Sequence, residues 1–172
     1  MLKIAITGPE STGKTTLTRQ LAAHYDTLWV PEYARFYLLQ LDRPYTPEDV
    51  IEIAKGQRYW ETELAKLSER LLFCDTDLLV IKIWLKFKYQ IENEWVENQL
   101  KLEYYNLHLL CNIDLPWQDD PLRENPHLED RKTLYDLYKQ ELTALDLPFY
   151  EISGSEKTRF ERAKMLIDRF LQ

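Results

Sequence analysis

The chain is short of glycine, cysteine and positive charge, and it lacks any long apolar run. Only four of its 172 residues are glycine, at positions 8, 13, 56 and 154, and no repeat or low-complexity tract is present. The two cysteines, Cys74 and Cys111, each lie inside an apolar, strand-like run; this favours buried free thiols over a disulfide or a metal pair. The 22 Lys and Arg are outnumbered by 29 acids, giving a net charge of −7. A nucleic-acid partner needs a basic face, so that class is disfavoured. No apolar stretch reaches the roughly 18 residues of a membrane span, and the N-terminus opens a strand rather than a signal peptide. The expectation is therefore a cytoplasmic protein with no membrane partner, folded as one domain over 1–172.

Two of those four glycines fall in "GPESTGKT", residues 8–15. The stretch matches G-x-x-x-x-G-K-[ST], which a chain of this length meets by chance about once in a hundred. "MLKIAIT" before it reads as a buried strand. After it, Leu17, Leu21, Ala22 and Tyr25 recur at helical spacing. Strand, loop and helix in that order make a phosphate cradle, the alternative being an ordinary strand-to-helix turn. Gly8 and Gly13 permit the tight turn, and the amides of Glu10, Ser11, Thr12 and Thr16 join it at a helix start. Lys14 suits the β and γ phosphates of ATP, and the Thr15 hydroxyl suits magnesium.

Four more short apolar runs follow, "TLWV", "RLLFCDTD", "LHLLCNID" and "PFYEIS", separated by helical patterns. Thr46, Pro47 and Asp49 mark one helix start, and 78–89 and 93–105 each read as a helix. The fold class expected is α/β, a three-layer P-loop kinase-like sandwich with a five-stranded parallel sheet. Ligands in such sheets bind beyond the strands' C-terminal ends, where the unusual residues cluster. Asp75 can hold magnesium opposite Thr15, while Asp77 is either a helix cap or a site acid. Glu32 can accept the proton of an attacking hydroxyl, with Asp77 the second candidate for that role. Arg35, on the same helical face, can meet developing charge, or simply pair with Glu32 at the surface.

The proline-rich segment 116–127 reads as a lid, ending near 131, that excludes water from the reaction. Arg123 and Arg131 flank it and can stabilise a transferring phosphoryl group, although Arg131 also fits a solvated helix face. Trp29, Tyr33, Tyr59 and Trp117 border the expected site and can stack a flat ring, whereas Trp84 and Trp95 read as core. Gln57 can present its amide to a base or carboxamide edge.

Together "GPESTGKT", "PEYAR", "GQRY", "FCDTD", "LPWQDDPLR" and "YEISGS" with Arg159 resemble the ribosylnicotinamide kinase domain of the NadR family. The resemblance runs over essentially the whole chain. It implies a phosphotransferase that uses ATP and magnesium to convert nicotinamide riboside, a small-molecule substrate, to nicotinamide mononucleotide. It also implies that Asp77 and Arg35 touch the ribose or phosphate end and that the loop at Gly154 borders adenine. A cationic pyridinium is compatible with an acidic, aromatic-rich protein. The family's lid usually has glycine after the paired acids, and this chain has Pro121. No H-x-G-H motif is present, so the expectation is a kinase without an adenylyltransferase domain. The rival readings are a kinase for another nucleoside, such as a deoxynucleoside, or a nucleotide-sensing P-loop ATPase. A GTPase is disfavoured, since neither N-K-x-D nor D-x-x-G occurs.

Overall fold

A computed structural model describes residues 1–102 and 105–171. Part of the helix expected over 93–105, namely residues 103 and 104, lies outside them. The apolar runs form five parallel strands, β1 (Leu2–Thr7), β2 (Trp29–Val30), β3 (Leu71–Asp75), β4 (Leu107–Cys111) and β5 (Phe149–Ile152), in the order β2-β3-β1-β4-β5. β1 is central, with Ile4 opposite Phe73 on one side and Leu107 on the other. The chain builds one side of the sheet and then the other, so the switch point lies at β1, where the phosphate motif begins.

Strand alternation sends the two faces of the sheet to different cores. Ile4, Ile6, Phe73, Leu107 and Leu109 pack with Leu17 and Leu21 of α1 (Lys14–His24) and with Ala163 and Leu166 of α7 (Glu156–Phe170). On the opposite face Ala5, Leu72 and Cys74 meet Trp60 and Leu64 of α3 (Pro47–Ala65). That face continues into a larger cluster built by α3, α4 (Leu78–Trp84), α5 (Glu94–Leu102) and α6 (Leu128–Ala144). The result is three layers. Cys74 and Cys111 are free, buried, and on opposite faces. No helix among the described residues is long and apolar enough to cross a membrane.

Two local departures from the expected elements shape the site. β2 is shorter than "TLWV", with only Trp29 and Val30 in the ladder beside Phe73 and Cys74. The segment 78–89 is not one regular helix, because α4 loosens into a π-helical turn over Leu85–Tyr89. Such turns are often found at functional sites.

Candidate active site

The phosphate loop is shaped by a backbone that only glycine allows at its start. Gly8 has φ +130°, and a Cβ there would stand 2.7 Å from the Cys111 carbonyl oxygen. Lys14 folds back so that Nζ donates to the carbonyls of Gly8 and Pro9, at 2.9 and 2.7 Å. The Thr15 hydroxyl donates to Asp75 Oδ2 at 2.6 Å, while Asp75 Oδ1 is buried without a hydrogen-bond partner. Burial and then the nearby charge of Glu32 push the Asp75 carboxyl up to about 7. An orphaned carboxylate oxygen beside a hydroxyl, at a phosphate loop, suits magnesium. That ion is commonly held by one or two protein oxygens plus phosphate and water. Among the described residues no cluster of three His, Cys, Asp or Glu side chains could hold a metal unaided.

A cavity of about 680 Å³ is lined by this loop, by the lid and by residues of α4 and α6, a size that suits small ligands. Glu32 and Arg35 also line it. Glu32 ends the turn after β2 as the N-cap of α2 (Tyr33–Leu38), and Arg35 Nε lies 3.4 Å from Glu32 Oε2. The aromatic part of the cavity, the chamber, is walled by Val80, Ile83, Trp84, Phe87, Tyr45 and Tyr138, with the Tyr45 ring edge-on to Trp84 at 5.1 Å between centres and the Tyr45 hydroxyl accepting from Trp84 Nε1 at 3.1 Å. Positions 80, 83, 84 and 87 form one helical stripe. In sequence that stripe looks like a core face, which is why Trp84 reads as core although it lines the cavity. Tyr45, Phe87 and Tyr138 carry no motif signal either; only the packing of α3, α4 and α6 brings them together.

The lid is bound to both ends of the cavity. Glu10 accepts the backbone N–H groups of Glu124 at 3.1 Å and Asn125 at 3.0 Å, and Ser11 Oγ accepts that of Gln118 at 2.9 Å. Arg123 donates to the Gln118 carbonyl and reaches Ser11 Oγ at 3.4 Å. At the middle, Arg35 Nη2 donates to Asp120 Oδ2 at 2.8 Å. The Leu122 amide and this guanidinium together hold the Asp120 carboxyl below its ordinary range. Pro121 is the second residue of a turn closed by Arg123 N–H to Asp120 C=O, at 3.0 Å, a position proline favours. At the far end, Tyr45 and Lys88 both donate to the Glu124 carboxylate.

A family model described as "AAA domain" matches residues 3–159. The chain belongs to that family. The resemblance read from the motifs recurs in relatives of this AAA domain. The trifunctional NAD biosynthesis/regulator protein NadR of Escherichia coli is 27% identical over 171 residues, 95% of this chain and 41% of that protein. Its counterpart from Salmonella typhimurium is 26% identical over 98% of this chain and 42% of that protein. The chain thus spans about two fifths of the length of these curated relatives. Among solved structures, a NadR protein in complex with NR superposes with a TM-score of 0.74 at 22% identity, over 94% of this chain and 49% of that one. Thymidylate kinase from Ehrlichia chaffeensis gives 0.71 at 14% identity, over 96% and 98%. The fold is that of the P-loop kinases.

Within this AAA domain the expected site residues divide into two groups. Gly8, Glu10, Ser11, Thr12, Gly13, Lys14, Thr15, Thr16, Glu32, Arg35 and Arg123 all line the one cavity, and Asp75 adjoins it through Thr15. The others stand outside its wall. Asp77 is 1% exposed; Oδ1 caps α4 at Val80 N–H and accepts from the Thr7 hydroxyl, and Oδ2 lies 3.3 Å from His108 Nε2. Arg131 is buried beneath the lid. Its Nη2 donates to the carbonyls of Ser11 and Leu115, and its Nε has no partner. Gly154 N–H donates to Asp114, and Arg159, which does line the cavity, binds the carbonyls of Gly154, Thr12 and Asn112.

The expected stacking residues are corrected by the packing. Tyr33 is turned into an aromatic group with Phe36 and Trp60, over Gly56. Gln57 is buried with Oε1 accepting the Tyr33 N–H. Tyr59 is exposed on the outer side of α3, and Trp29 packs against the core. Trp117 donates to Asp119, with its ring beside Arg123 and Arg131. The aromatic wall is instead Tyr45, Trp84, Phe87 and Tyr138.

Proposed function

We propose that this chain is an ATP-dependent kinase that phosphorylates nicotinamide riboside to nicotinamide mononucleotide. One observation carries the reading. One lidded cavity is lined by the phosphate loop, by Glu32 and Arg35, and by the aromatic residues Tyr45, Trp84, Phe87 and Tyr138. A hydrolase or a sensor needs no aromatic wall beyond its nucleotide site. The names of the relatives, an NAD biosynthesis protein and a NadR protein in complex with NR, support this choice of acceptor. Aromatic faces also suit a cationic pyridinium.

In this reading the phosphates of ATP lie on the loop from Gly8 to Thr16, with Lys14 released from its carbonyl contacts to pair with them. The Thr15 hydroxyl and Asp75 carboxylate would hold magnesium, which when bound neutralises charge on the phosphate oxygens. The ring of the riboside lies against the Tyr45, Trp84 and Tyr138 part of the cavity wall, and its 5′-hydroxyl points to Glu32. Glu32 accepts the hydroxyl proton as the oxygen attacks the γ phosphorus. The bond from that phosphorus to the bridging oxygen breaks, and its electron pair leaves with ADP. Arg35 and Arg123 meet charge on the moving phosphoryl group, and the lid keeps water away. Asp77 acts through position, by capping the helix that carries the chamber wall.

The reading is tested by ADP release from ATP and magnesium with nicotinamide riboside, ribonucleosides, deoxynucleosides or water, with product mass measured. Nicotinamide riboside is expected to give far the fastest release and a product heavier by one phosphoryl group. A deoxynucleoside in first place would move the chain to the alternative kinase class. Equal release in every tube would make it an ATPase.

A further inference from the structure

Glu124, in the lid, is bound both to the phosphate loop and to the chamber wall. Its backbone N–H is held by Glu10 of the phosphate loop at 3.1 Å. Its carboxylate takes the Tyr45 hydroxyl at 2.6 Å and the Lys88 ammonium at 2.7 Å. That ammonium also lies 4.1 Å from the centre of the Tyr45 ring and 5.5 Å from that of Tyr89. Two aromatic rings and a carboxylate form a surrounding that holds a cation. The protein has filled it with a cation of its own.

Resting on the kinase reading above, the geometry points to Glu124 as the residue that selects for positive charge on the acceptor's ring, with Lys88 as the occupant such a ring displaces. Tyr45, Lys88 and Glu124 all line the cavity alongside Trp84 and Phe87, so a ring entering the chamber meets this group. In leaving, Lys88 gives up Glu124 and the Tyr45 hydroxyl, which it meets at 2.6 Å, and exchanges both for water. Its side chain is 35% exposed and its stem is long and flexible, so the ammonium regains water at little cost. Glu124 cannot leave as freely, because its own amide is tied to Glu10. A neutral ring that pushes Lys88 aside leaves the carboxylate without a countercharge among aromatic side chains. A cationic ring restores one. Selection therefore acts partly against the wrong acceptor, and it is modest because Glu124 keeps 40% of its side-chain surface in water.

The test compares nicotinamide riboside with its reduced form, which has the same ribose and carboxamide but no ring charge. The readout is the ratio of kcat/KM for the cationic form to that for the reduced form. It is measured for wild type, Glu124→Gln and Lys88→Met, with folding checked by circular dichroism. Glu124→Gln is expected to lower the ratio about fivefold, the scale of a partly exposed cation contact. Lys88→Met is expected to raise kcat/KM for both forms and to leave the ratio near the wild-type value, because either ring has to displace the ammonium. A ratio equal to wild type in folded Glu124→Gln, or a Lys88→Met that gains nothing with either form, overturns the inference and leaves the kinase reading standing. A wild-type protein inert towards both forms overturns the kinase reading, and the inference with it.

Discussion

Glu32 and Asp77 are both carboxylates at the C-terminal end of the sheet, and their surroundings separate their work. Glu32 lines the cavity beside Arg35. Asp77 is sealed between Thr7, Val80 and His108. Glu32→Gln is expected to cut kcat by about a hundredfold or more, the usual scale for a general base, with little change in the KM for ATP. Asp77→Ala is expected to lose about 1–3 kcal/mol in urea unfolding, because a cap and a buried hydrogen bond go together. Should a folded Asp77→Asn lose turnover as deeply as Glu32→Gln, the proton acceptor is Asp77. At this scale the phosphate loop was readable because its residue types are dictated by phosphate chemistry. Which of two neighbouring acids faces the cavity was not, since both satisfy the same spacing after their strands.

Helices and the lid hold these side chains in register. α2 lies against α3 where Gly56 has no side chain: a Cβ there would come within 2.1 Å of the Tyr33 ring. Gly56→Ala is therefore expected to push α2 outward, lowering kcat/KM through Glu32 and Arg35 and costing about 1–3 kcal/mol of stability. Adding Tyr33→Ala should restore part of both, a coupling read from the double-mutant cycle; simple additivity would contradict the contact. The lid's tie to the phosphate loop is tested by Glu10→Ala, which removes the acceptor for the Glu124 and Asn125 amides. ADP formed without acceptor is expected to rise relative to phosphorylated product; an unchanged ratio would show that the tie does not exclude water. The strands were legible as elements because each is a short apolar run between turn residues. The chamber was not: the stripe at 80, 83, 84 and 87 has the spacing of any core face, and only the tertiary packing brings Tyr45, Trp84, Phe87 and Tyr138 to the wall of one cavity.

For the molecule as a whole, the buried Asp75 carboxyl ties stability to pH. The Asp75 carboxyl, pushed up to about 7 by burial and by Glu32, favours its protonated form in the folded protein. Its contribution is fully present below the unfolded value near 4 and is lost as pH rises through about 7. The stability of wild type relative to Asp75→Asn should fall from about pH 4 to about pH 7 and level off above it. ATP with magnesium should offset more of that fall in wild type than in the variant. Parallel urea-unfolding profiles for the two proteins would show that Asp75 is not the titrating group. The layered architecture was legible at this scale because alternating apolar strands and helices admit few other arrangements. The closing of the lid onto both ends of the cavity was not, because it depends on contacts such as Glu10 to Glu124, 114 positions apart.

The most direct test of the central claim is a single-turnover experiment with γ-labelled ATP, magnesium and nicotinamide riboside, following the label. The account predicts that the label appears in nicotinamide mononucleotide, saturably with riboside, and that Lys14→Ala and Glu32→Gln both suppress it. Label accumulating only as inorganic phosphate, at a rate indifferent to the riboside, would contradict it.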